Sequence, residues 1–152
     1  MSKTLRYRLF KIGSMPERLR AEIENDQVLF FEEGMPVTVR RRGTAPGFKG
    51  GATGAFSGAF AITDQRIIAS ISSTVMVDAS YDEKDAHGAE ASLAEDGLHV
   101  VIDASIHPRC TGEIRMHFKQ EFSKEELARF PRRQLTFQFP LDKVPKMFGV
   151  RI

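Results

Sequence analysis

Apolar and polar residues alternate along most of this chain, and only two stretches break to a helical spacing. In "LRYRLFKI", residues 5–12, Leu5, Tyr7 and Leu9 stand against Arg6 and Arg8, the pattern of a short half-buried strand. "SMPERLRAEIEN" changes period. Met15, Leu19 and Ile23 recur every four residues, Pro16 suits a first helical turn, and Ser14 with Glu17 three positions on reads as a capping box, so a helix is predicted over 15–24. "FSKEELARF" repeats the signature with Ser123 and Glu126, predicting about two helical turns that end near Pro131.

The remaining pattern is that of strands. In "QVLFFEEGMPVTVRRRG", Gly34 and Pro36 mark a bend between strands over 28–31 and 37–42. Six of the twelve glycines lie in "GTAPGFKGGATGAFSG", residues 43–58, which predicts a mobile loop rather than a phosphate loop, since Lys49 is followed by two glycines and then by strand-like alternation. Phe56, Gly58, Phe60 and Ile62 share one face, Ile67, Ala69 and Ile71 alternate next, and Val75, Val77, Ala79 and Tyr81 follow, which together make an antiparallel meander. Its first turn, "TDQR", has a mechanism, since the Thr63 or Asp64 side chain can accept from backbone N–H groups two residues on.

Farther on, "DEKDAHGAE" is a polar loop and Glu95 to Gly97 reads as a hairpin turn. Strands are expected over 98–107, 113–122 and 134–141, and the tail "DKVPKMFGVRI" has no clear period. Seven or eight short antiparallel strands and two short helices define an α+β chain whose sheet must curl to remove its edges, so a small antiparallel β-barrel is expected. At 152 residues the chain suits a single barrel domain, with an N-terminal strand and helix extension over about 1–25 and a C-terminal strand and tail over about 132–152.

Composition narrows the class. The 41% hydrophobic and 28% charged fractions are those of a globular protein, and twelve Phe with no Trp point to a core of Phe and branched aliphatics, with Phe56, Phe60, Ile62, Phe118 and Phe137 as its expected centre. The start of the chain has no apolar h-region and no apolar run is long enough to span a bilayer, so the cytoplasm is the expected address, peripheral membrane association included. Formal net charge is +2, but residues 78–103 hold eight acids and one base, whereas residues 1–51 and 104–152 are each basic. The chain is far from strongly basic and its Phe residues alternate inward, which argues against nucleic-acid binding.

The hairpin "FAITDQRIIAS" resembles the hydrophobic, Thr, polar, polar, Arg, aliphatic, aliphatic hairpin of bacterial pleckstrin-homology-like and GRAM-like domains, on Ile62, Thr63, Arg66, Ile67 and Ile68. "VLFFEEGMPVTVRRRG" looks like their opening strands, and the resemblance covers residues 28–81. It implies a PH-like barrel serving as a non-catalytic module that binds a protein partner or an anionic lipid headgroup, with no cofactor. A headgroup would need converging cations, and the available cluster is Arg40, Arg42 and Lys49, since alternation sends Arg41 to the opposite face. The alternative is a small barrel that encloses an apolar ligand or acts slowly on one.

No catalytic or metal constellation is read from the sequence. His99 and His107 lie about 26 Å apart along one strand at ordinary strand rise, too far to share an ion. If His107 opposes Glu113, Asp103 falls opposite His117 as an exposed cross-strand pair. Cys110, the single cysteine, is expected to be an inert loop thiol beside Arg109.

Overall fold

Period-two alternation produces one eight-stranded antiparallel sheet that curls into a nearly closed barrel with a few short helices. The computed structural model describes residues 13–82 and 87–148, so the strand expected over 5–12 lies outside the described residues. Elements follow in the order α1 (Glu17–Ile23), β1 (Val28–Ala45), β2 (Phe48–Thr63), β3 (Arg66–Ile71), β4 (Thr74–Ser80), β5 (Ala89–Ala94), β6 (Gly97–Asp103), β7 (Thr111–Lys119), α2 (Lys124–Arg129), β8 (Gln134–Phe137) and α3 (Lys143–Met147). The spatial order is β4-β3-β2-β1-β7-β6-β5-β8, and the two end strands approach each other.

The bend expected at Gly34 and Pro36 is instead a bulge inside one 18-residue strand. Register shifts between Glu33 and Met35, and Gly34 takes a φ of 75° as the extra residue. Its effect is to switch parity: Phe30 and Glu32 oppose the core-facing Ile62 and Phe60 before the bulge, whereas Met35, Val37 and Val39 face the core after it. The mobile loop expected over 43–58 is likewise corrected. Gly43 pairs with Gly50, Arg42 with Gly51 and Arg40 with Thr53, so the glycines lie in a continuous β1–β2 ribbon. Gly43 also faces Gly112 of β7. A Cβ on Gly43 would stand 1.9 Å from the Thr111 carbonyl oxygen, and one on Gly112 1.9 Å from that of Arg42. Close strand approach, rather than mobility, uses these glycines.

Phe60 sits at the centre of the interior, its ring 4.9 Å from Phe30, 6.0 Å from Phe118 and 6.1 Å from Phe122. Ile62, Phe118 and Phe137 are fully buried as expected, while Phe56 is half-buried at one barrel mouth. The outer face of β2 is apolar too. Met15, Leu19 and Ile23 of the α1 segment pack on Ala59, Ala61 and Ile68. Helix α1 begins after Pro16 with no side-chain cap, so the capping box expected from Ser14 and Glu17 does not form; the Met15 N–H donates to Glu33 instead. At α2 the expected box is complete, with Ser123 Oγ accepting from the Glu126 N–H and Glu126 accepting from the Ser123 N–H.

Several elements differ in the C-terminal half. The strand expected over 113–122 ends at Lys119 and that over 134–141 at Phe137. The strand expected over 98–107 ends at Asp103, whose carboxylate accepts from the Ser105 N–H and hydroxyl and caps a 3-10 turn over Ala104–Ile106. The tail, without a clear period in sequence, forms α3 across the barrel mouth. Lys143 Nζ donates to the Val75 carbonyl at 2.9 Å, Arg41 to that of Met147 at 3.0 Å, and the Phe148 ring packs tilted against Phe48, centroids 5.1 Å apart.

Candidate functional site

The register of the central strands builds a basic patch on the barrel's outer face. Thr38, Arg40 and Arg42 of β1 oppose His117, Arg115 and Glu113 of β7, and these in turn oppose His99, Val101 and Asp103 of β6. Arg40 and Arg115 thus stand directly across from each other, both exposed. Arg115 is engaged by Glu113, 2.7 Å from its Nε, whereas the side chains of Arg40 and Arg42 form no hydrogen bond or ion pair with any described residue.

Two shallow grooves adjoin at Arg40 and Arg115. One, of about 670 Å³, runs past Arg42, Gly51, Thr53 and Glu113; the other, of about 440 Å³, runs past Thr38, His99, His117 and Lys119. The β2 residues beside the arginines, Gly51, Thr53 and Ala55, are small, so nothing from that strand covers the guanidinium groups.

Lys49 shares this face with Arg40 and Arg42, but it lies near the hairpin tip opposite Thr44 and lines neither groove. At ordinary strand rise it stands about 13 Å along the ribbon from Arg40. Arg41 points to the core side, as alternation requires, and spends its guanidinium on α3. The sequence therefore placed Arg40 and Arg42 together but gave no sign of Arg115 or Lys119, because nothing local to β1 says which strand pairs with it.

Register also overturns the expected Asp103–His117 pair. Residues 104–106 leave the strand as a 3-10 turn, so Asp103 opposes Glu113 and His117 opposes His99, a shift of four positions from the expected pairing. The His99 and His117 rings stack 4.2 Å apart, and both reach Asp96 in the β5–β6 turn. The hydrogen bond from His99 holds the Asp96 carboxyl below the usual carboxylate range, with smaller help from the charges of His99 and His117. A readable signal existed: Asp-x-Ser at 103–105 is a turn-forming pattern that ends a strand.

Cys110 is buried, its Sγ 3.7 Å from His107 Nδ1, and burial pushes the thiol up, away from reactivity. No helix among the described residues is long and apolar enough to cross a membrane. No family model, curated protein or solved structure matches the chain.

Proposed function

We propose that this chain is a non-catalytic PH-like binding module whose β1–β7 face takes an anionic group, a phosphorylated headgroup or an acidic segment of a partner protein. One observation carries the reading. Arg40 lies directly opposite Arg115, a like-charge placement that weakens an antiparallel pair, with the equally unpaired Arg42 one step along. An oxyanion lodged between them would turn that repulsion into charge-assisted hydrogen bonds, and guanidinium groups suit phosphate or carboxylate geometry. Cores filled by Phe60, Phe118 and Phe137 fit a surface that binds better than an interior that reacts.

The test is flotation with vesicles of neutral phosphatidylcholine, with and without an anionic phosphoinositide, beside calorimetry with soluble inositol hexakisphosphate. Binding is expected at low salt and weaker at physiological salt. The Arg40→Ala, Arg42→Ala double variant is expected to lose about thirtyfold in affinity, at about 1 kcal/mol per cation. Binding to the soluble polyphosphate but not to vesicles selects the acidic-partner form. Equal binding by parent and variant, or none by the parent to either probe, overturns the reading.

A second reading has its own observation. Beside α3 the barrel mouth holds a hollow of about 300 Å³ lined by Val39, Phe56, Ile71, Met76 and Met147, with Arg41 and Lys146 at its rim. The Arg41 Nε is buried there without a hydrogen-bond partner. Those groups suit a small apolar carboxylate. Titration with decanoate, followed through the methyl signals of Met76 and Met147, tests it: no shift of either signal removes this reading.

A further inference from the structure

His99 and His117 oppose each other on the outer faces of two adjacent central strands, β6 and β7. Asp96 meets both, with Oδ1 2.7 Å from His99 Nε2 and Oδ2 3.6 Å from His117 Nε2. One ligand atom from each of the three side chains falls within 4.8 Å of the others. We propose that Asp96, His99 and His117 form a binding site for a divalent transition metal ion of the zinc class. The site shares a groove with Arg40 and Arg115 of the anion-binding face, but the proposal does not depend on that reading.

Donor chemistry selects the class. Two imidazole nitrogens and one carboxylate suit zinc or its neighbours, whereas calcium and magnesium take oxygen ligands and copper(I) favours sulfur. Ligand atoms at 2.0 to 2.2 Å from a tetrahedral ion stand about 3.3 Å from one another. The widest separation here therefore closes by no more than about 1.5 Å, within reach of side-chain rotation. The scaffold is stiff: β6 and β7 are both flanked by further strands, and the Asp96 carbonyl accepts from the Gln120 N–H and from His117 Nε2.

The Nε2 atoms of both rings lie against Asp96 oxygens, 2.7 Å for His99 and 2.8 Å for His117. To bind an ion, each ring presents its Nε2 lone pair, with any Nε2 proton leaving or moving to Nδ1, so two hydrogen bonds are exchanged for two metal bonds. Three protein ligands leave a fourth position open. Arg115 and Lys119 line the same groove as the two histidines and favour an anionic occupant there.

Calorimetry of tag-free protein with zinc chloride tests the site, alongside NMR of the histidine rings. One ion per chain is expected, with a Kd on the order of micromolar. The His99 and His117 ring signals should shift while those of His87 and His107 stay. His99→Ala and His117→Ala should each weaken binding about tenfold or more, Asp96→Asn by a smaller factor, and His107→Gln not at all. Both rings are partly exposed, so the variants are expected to keep the parent's circular dichroism. No saturable one-to-one binding below about millimolar zinc, undiminished binding in the His99→Ala, His117→Ala double variant, or shifts centred on His107 and Cys110 would each overturn the proposal.

Discussion

Thr63 shows how much a single residue of the "TDQR" turn holds together. Its buried hydroxyl accepts from the Gln65 and Arg66 N–H groups and lies 3.0 Å from Asp26 Oδ2, which also takes Arg66 Nε at 3.1 Å. Its carbonyl accepts from the Tyr81 hydroxyl at 2.9 Å. The turn's Thr and Arg thus tie the α1–β1 connection to the β2–β3 hairpin, a structural use of the very residues that resemble the family motif. The self-bonding of Thr63 was legible in the sequence because it is local; the Tyr81 contact was not, since it depends on where β4 ends. Burial, and then the Asp64 carboxylate, push the Tyr81 phenol up to about 12 from its ordinary 10.0. Folding favours the neutral phenol, so its contribution is complete below pH 10 and is lost as pH rises through 12. Tyr81→Phe should cost about 1 kcal/mol at neutral pH for the lost hydrogen bond. Denaturant unfolding should show that gap between parent and variant narrowing as pH rises from 10 to 12, and a gap that stays constant with pH would place the phenol in water.

Elements were legible where their cause is local and obscure where it is not. Ser123 and Glu126 form the expected box, while at the same spacing Ser14 and Glu17 do not, because the helix starts after Pro16 and the Met15 N–H donates to Glu33 of β1. The glycine-rich segment misled because glycine density reads as a loop until its partners are known; Gly50, Gly51 and Gly54 pair with β1, and Gly43 pairs also with Gly112 of β7. Helix α1 was predicted from Met15, Leu19 and Ile23, but the surface it covers, the alanines of β2, reads in sequence as a solvent face. Its docking buries both faces of β2 from Ser57 onward and explains an outer face of Ala59 and Ala61, small enough for a helix to lie close. Leu19, 1% exposed, is the middle of that contact. Leu19→Ala should cost about 2–5 kcal/mol in urea unfolding, as for a buried leucine that leaves a cavity. A loss under about 1 kcal/mol would mean that α1 contributes little as a cover.

For the whole molecule the question is how a sheet with two ends avoids exposing them. The order runs from β4 to β8, and both end strands are short, seven and four residues. Sequence alternation predicted a curled sheet but not the seam, because the closing element is α3, from a tail without a period. Helix α3 buries Val144 and Pro145, reaches β4 through Lys143 and the Val75 carbonyl, and is held at its far end by Arg41 of β1. That contact also explains why only two of three consecutive arginines remain for an outer-face ligand. Removing the Lys143 donor should loosen the seam without unfolding the barrel. In Lys143→Met, loss of one hydrogen bond lowers the local opening free energy by about 1 kcal/mol, so exchange of β4 amides should quicken about fivefold. Amides of the β1–β7 pairing, in the middle of the sheet, should keep the parent's rates. Uniform acceleration across all strands would instead mean that β4 opens only with the whole barrel, and that α3 is part of one cooperative unit rather than a clasp on its edge.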